Sequence, residues 1–167
     1  MKIINQRETE HDVNPVFPSR WSPRAMTGEP IDEESLWRIF EAARWAPSSY
    51  NNQPWRFLYS KKDSSTWETF FDLLAAPNQA WAQKASLLVV VLSKRTFDRD
   101  GTLARTHSFD TGSAWQNLAL QATFCGLVTH AMQGFDYDGA QKELQVPEDF
   151  AVEAMVAIGK PAPASFL

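Results

Sequence analysis

Apolar residues recur along this chain in two rhythms, and the switches between them mark out a series of short elements. Leu36, Ile39, Phe40 and Ala43 share one helical face, behind Asp32 as a cap and Ile31 as a staple onto Leu36; Pro47 then stops the helix. Trp55 to Tyr59 reads as a strand. Ser65 opens a second helix striped by Trp67, Phe70, Phe71 and Leu74, with Pro77 as its expected end. Leu87 to Leu92 is apolar without alternation, which predicts a strand covered on both faces. A charged stretch from Lys94 to Arg105 reads as a mobile surface excursion. A third helix is predicted from Asp110 to Cys125, ending at Gly126 and apolar around much of its circumference, so that it must be buried on most sides, in part by a second subunit. Leu127 to Met132 reads as a strand, Asp138 as the cap of a short helix to Leu144, and Val152 to Ile158 as a last strand before Gly159. Residues 1–19, with Pro15 and Pro18, read as an extended N-terminal arm. A small sheet with flanking helices is an α+β architecture, and 167 residues fit one domain, 1–167.

Composition narrows the chemistry. Seven Trp and eleven Phe supply bulky packing groups, and a net charge of −4 with no basic run argues against nucleic acid as a partner. The longest apolar run is far too short to span a bilayer, and Met1 to Glu8 lacks the apolar core of a secretory signal. A single cysteine, Cys125, leaves no intrachain disulfide framework. Together these predict a soluble cytoplasmic protein that does not engage membranes. His11, His107, His130 and Cys125 show no metal-ligand spacing. Ser113 is not in a nucleophile elbow, and no glycine-rich phosphate loop is present. A chain with so little chemistry of its own, if it is an enzyme, relies on a bound cofactor.

Polar groups concentrate in a few places. Ala46-Pro47-Ser48-Ser49-Tyr50-Asn51-Asn52-Gln53-Pro54-Trp55 packs uncharged donors and acceptors between a helix and a strand, which suits a heteroaromatic ligand with several polar edge atoms; taken alone, a plain Ser/Asn/Pro turn is the simpler reading. Arg20-Trp21-Ser22-Pro23-Arg24 places two guanidiniums around a hydroxyl, either an anion clamp or a solvated basic turn. Asn78 precedes one strand. Met132-Gln133-Gly134-Phe135 follows another, and a glycine there lets backbone approach a flat ring.

In this order the segments resemble those of the nitroreductase family, FMN-dependent oxidoreductases that form intertwined homodimers. The blocks that carry the resemblance are Arg20 to Arg24, Ala46 to Trp55, Asn78-Gln79-Ala80-Trp81 with the Leu87–Leu92 strand, and Asp110-Thr111-Gly112-Ser113-Ala114-Trp115-Gln116-Asn117-Leu118 through to Phe135. The resemblance implies a nitroreductase-like α+β fold with a mostly antiparallel sheet. It also implies FMN as cofactor, NAD(P)H as electron donor, and ping-pong transfer through flavin N5 to nitroaromatics, quinones or similar conjugated acceptors. By position, Arg20 and Ser22 resemble ligands of the FMN phosphate, and Arg24 a cation at the N1/O2 edge. Pro47, Ser48, Ser49, Asn51 and Gln53 resemble contacts from the partner subunit. Asn78 resembles a contact to the ring or ribityl chain, and Gln133 and Gly134 the backbone facing N5. No side chain is implied as catalytic. Other expectations remain open at this point: flavin binding without turnover, reductive dehalogenation, or degradation of reduced flavin. Family members continue past the Gly-x-Pro seen here as Gly159-Lys160-Pro161 into a C-terminal arm that reaches the partner. The sequence stops at Leu167, either as a natural end or short of the true one; the resemblance then implies an absent arm, weaker FMN retention and a less stable dimer.

Overall fold

The computed structural model describes residues 7–163 and 165. Its frame is a four-stranded, fully antiparallel sheet built from β1 (Trp55–Lys61), β2 (Leu87–Lys94), β3 (Val128–Met132) and β4 (Phe150–Gly159), in the order β1-β2-β4-β3. Around it lie α1 (Val16–Ser19), α2 (Glu33–Arg44), α3 (Trp67–Asp72), α4 (Ala76–Ala82), α5 (His107–Phe124) and α6 (Tyr137–Glu143). Helices cover both faces of the sheet, which is why β2 lacks a polar face. Leu87, Val89 and Val91 join Leu36, Ile39, Ala114 and Leu118 of α2 and α5 in one core, while Leu88, Val90 and Leu92 join Trp67, Phe70 and Trp81 of α3 and α4 in the other. The α+β fold expected from the pattern is thus the observed one.

Several boundaries follow local chemistry. The Asp32 carboxylate accepts from the Ser35 N–H at 2.8 Å and caps α2. α5 begins a turn before its expected start at Asp110. Its first residues are pinned to the sheet: Ser93 accepts from His107 Nδ1 at 2.7 Å and donates to Glu153, which also accepts from Ser108 at 2.6 Å. Glu153 occupies a bulge between the pairs Val91–Ala154 and Leu92–Val152, and the bulge aims it at that helix start.

Three expectations are corrected. Pro77 does not end a helix; it sits in the first turn of α4, where its missing N–H costs nothing. α3 has already ended, and Leu74 leaves it to pair with Phe135. Asp136, not Asp138, caps α6, accepting from the Gly139 N–H at 2.9 Å. The N-terminal arm is not extended throughout: residues 16–19 form the helical turn α1, with Ser19 bonded to the Pro15 carbonyl, because Pro18 falls where no amide donor is needed. Of the rest of the expected arm, residues 7–15 form no helix or strand, and residues 1–6 lie outside the described residues. The Lys94–Arg105 stretch folds back on itself through a Thr96–Leu103 pair. None of the described helices is long and apolar enough to cross a membrane.

Candidate functional site

The candidate residues gather in two groups. The first lies at the β3 edge. After α1 the chain runs beside β3 as Arg20 to Arg24, and Met26 then pairs with Pro161 just past β4. Arg20 donates from Nη1 to Ser22 Oγ at 3.3 Å. Partial burial, and next the charge of Arg7, hold the Arg20 guanidinium below its ordinary pKa. Ser22 and Arg24 are exposed, whereas Pro23 between them is buried. The Pro23 carbonyl accepts from His130 Nδ1 of β3 at 3.2 Å. The His130 ring in turn lies against Trp81 of α4, centroids 4.7 Å apart.

α4 fastens the other end of this group. One helical turn before Trp81, Asn78 donates from Nδ2 to the Gly134 carbonyl at 2.9 Å; the Ala75 N–H reaches the same oxygen at 3.0 Å. A Cβ on Gly134 would stand 2.8 Å from Asn78 Nδ2, so only glycine fits this approach. With its carbonyl doubly bonded, Gly134 keeps an N–H that has no partner among the described residues. Gln133 is exposed beside it. Arg20, Ser22, Arg24, Asn78, Gln133 and Gly134 are therefore brought together along one edge.

The second group is the turn before β1. Tyr50, Asn51 and Gln53 hold positive φ angles of 51°, 55° and 50°. Left-handed backbone costs about 1–2 kcal/mol for an ordinary residue, so this turn persists only because its surroundings fix it. The Ser49 N–H donates to the buried carboxylate of Asp110 at 3.0 Å, and the same oxygen accepts from Thr106 at 3.2 Å. Ser48 Oγ accepts from the Gln53 N–H at 3.0 Å, and Gln53 Nε2 donates to Asn51 Oδ1 at 3.0 Å. Asn52 donates to the Thr96 carbonyl and accepts from the Asp98 N–H. Pro47, Asn51 and Gln53 stay exposed, and Asn51 and Gln53 line a cleft of about 310 Å³ with Arg44, Trp45 and Ala46.

Within one chain the two groups are apart. Trp55 leads into β1, the strand at the far edge from β3, roughly 14 Å away at ordinary strand spacing. The turn also leans on α5, on the face opposite α4. No hydrogen bond among the described residues joins one group to the other. Asp110, His130 and Trp81 are participants that sequence reasoning did not single out for these roles. A lone carboxylate in a helix with no other acidic residue and no Lys or Arg was the one available signal for Asp110. His130 gave none, because its role depends on a neighbour more than a hundred residues away.

A two-layer helical cover over an antiparallel sheet, with polar segments at two separate edges, defines an α+β protein whose candidate site is divided. The chain belongs to the Nitroreductase family, whose model matches residues 18–75 and 60–160. It is similar to a crystal structure described as the oxidoreductase containing FMN, with 45% identity, a TM-score of 0.94, and coverage of 100% of this chain and 86% of that one. Protein DrgA of Synechocystis is 31% identical over 152 residues, 74% of this chain and 71% of that protein. The NADH dehydrogenase of Thermus thermophilus is 28% identical over 175 residues, 86% and 83% of the respective chains.

Proposed function

We propose that the protein is an NAD(P)H-dependent FMN oxidoreductase of the nitroreductase type, acting as a homodimer with the site shared between two copies. The observation that carries this reading is the separation of the two polar groups. Neither group can complete the other within one chain, yet each is held by its own hydrogen bonds. A second copy that docks on the α2 and α5 side offers its Ser48–Gln53 turn to the β3 edge of the first. That side exposes Trp37, Trp45, Phe109 and Phe124, three of them more than half and Phe109 at 78%; bulky apolar groups left in water on this scale mark an association surface.

The residues fit FMN. Arg20 and Ser22 offer a cation and a hydroxyl to a phosphate. Arg24 supplies a fixed positive charge for the N1/O2 edge, where reduction places negative charge. The Gly134 N–H is an unspent donor, and the absent Cβ leaves room for a ring to approach. Asn78 keeps that stretch in place by holding the Gly134 carbonyl. Pro47, Ser48, Ser49, Asn51 and Gln53 of the second copy supply uncharged edges for a flat heterocycle. The chemistry supplied by bound FMN is two-electron transfer in alternating half-reactions, from NAD(P)H and then to a conjugated acceptor such as a nitroaromatic or quinone, with ping-pong kinetics. The likeness to a 45% identical oxidoreductase containing FMN and to an NADH dehydrogenase supports this reading. In this reading no side chain need donate a proton, and the protein's part is to bind, orient and polarise.

Purified protein titrated with FMN tests it. The expected result is a bound flavin spectrum and oxidation of NADH or NADPH that depends on an added quinone or nitroaromatic. A protein that binds no FMN after reconstitution contradicts it.

A further inference from the structure

His130 stands between the two halves of the β3-edge group, and nothing in the proposed chemistry uses it. Its Nδ1 lies 3.2 Å from the carbonyl oxygen of Pro23. A carbonyl only accepts, so Nδ1 carries the proton and Nε2 is left with a lone pair. The ring is half-buried. Its pKa is lowered from the ordinary histidine value, first by burial and also by the charge of Arg24, against the raising effect of the Pro23 and Ser22 carbonyls.

Pro23 has no N–H, so at this residue the Arg20–Arg24 segment cannot extend the sheet by laddering onto β3. The carbonyl is the one backbone hydrogen-bonding group that Pro23 has, and the His130 side chain donates to it. We infer that His130 is a positioning residue for the cofactor: its Nδ1–H holds the Pro23 carbonyl and so sets where Ser22 and Arg24 stand. The inference rests on the FMN reading above. Trp81 packs against the ring at a tilt of 41°, and Trp81 lies one helical turn from Asn78, which holds Gly134. The chain Pro23–His130–Trp81–α4–Asn78–Gly134 thereby ties the cationic segment to the glycine backbone, so that the two keep a constant spacing. His130 touches no substrate in this account and donates no proton to one.

Two substitutions separate the donor from the ring. His130→Phe keeps an aromatic ring on Trp81 and removes the Nδ1–H. His130→Asn removes the ring and keeps a donor, Nδ2, near the Nδ1 position. FMN affinity is read by quenching of flavin fluorescence in the reconstituted protein, and apoprotein melting reports the fold. Loss of one part-buried hydrogen bond to the segment predicts affinity weakened about tenfold in H130F and nearly retained in H130N, with H130F apoprotein melting no lower than H130N. The imidazole ¹⁵N shifts of the wild-type apoprotein should show the Nδ1–H tautomer at pH 8. Wild-type affinity in H130F, equal losses in both variants, or an Nε2–H tautomer would each overturn the positioning role while leaving the FMN reading intact. A wild-type protein that takes up no FMN would overturn both.

Discussion

Asn78 Nδ2 donates to the carbonyl of Gly134 at 2.9 Å, and a Cβ on Gly134 would come within 2.8 Å of that same nitrogen. One contact therefore fixes both partners: the amide needs the carbonyl, and the approach needs the glycine. Asn78→Ala removes one of two donors to that oxygen, at a cost of about 1 kcal/mol. Gly134→Ala forces Asn78 aside, at about 1–3 kcal/mol. Because both changes spend the same contact, the double variant should be less destabilised than their sum by about 1 kcal/mol. Denaturant unfolding of the four proteins checks this, and strict additivity contradicts it.

The left-handed turn at Tyr50–Gln53 hangs on Asp110, which is 6% exposed and accepts from Ser49 and Thr106. Asp110→Ala leaves the part-buried Ser49 amide donor without its partner, a loss of about 1–3 kcal/mol, or roughly 2–12 °C in a domain of this size. Asp110→Asn keeps an oxygen acceptor and should fall between the two. The expected signature is a lowered Tm together with weakened FMN binding. A normal Tm in D110A would show that the turn does not depend on this carboxylate.

His130 also predicts a pH dependence. Its folded pKa lies below its unfolded value, so between those two values the unfolded chain binds more protons than the folded one. Stability from this residue is then level at high pH and declines as pH falls through about 6.5, the ordinary histidine value. Melting curves of wild type and His130→Asn, compared from pH 8 down to 5, should diverge over that window, with the wild type losing more. Parallel curves would contradict the assignment.

Arg24 is exposed beside the proposed flavin edge. Its removal should cost the reduced ring about 1 kcal/mol after solvent screening, equivalent to roughly 20 mV for a two-electron couple. Arg24→Ala should therefore shift the bound-flavin potential to more negative values. An unchanged potential would place the cation elsewhere.

Much of this protein was readable from periodicity. The Asp32 cap, the stripe Leu36-Ile39-Phe40-Ala43 and the unbroken Leu87–Leu92 run led to α2 and β2 because short-range patterns determine them. The errors arose where a residue has two local meanings. Pro77 can end one helix or begin the next, and the choice was made by Leu74 leaving to pair with Phe135, a contact invisible in sequence. Asp136 and Asp138 are both adequate caps, and Gly139 decided between them by letting the Asp136 carboxylate approach its amide. For the site, the polar segments were visible in the chain but their supports were not. Asp110 and His130 act on Ser49 and Pro23 across 61 and 107 residues. Such pairings depend on which strands are neighbours, a property of the whole sheet.

Complementation between damaged subunits tests the shared site most directly. One variant carries Arg20→Ala and Arg24→Ala, the other Asn51→Ala and Gln53→Ala. Each alone should bind FMN poorly. If two copies build each site, unfolding and refolding them together produces mixed dimers with one intact site, and a 1:1 mixture should regain about one-quarter of the wild-type flavin per chain. A mixture that binds no more FMN than the two variants kept apart would contradict the shared site.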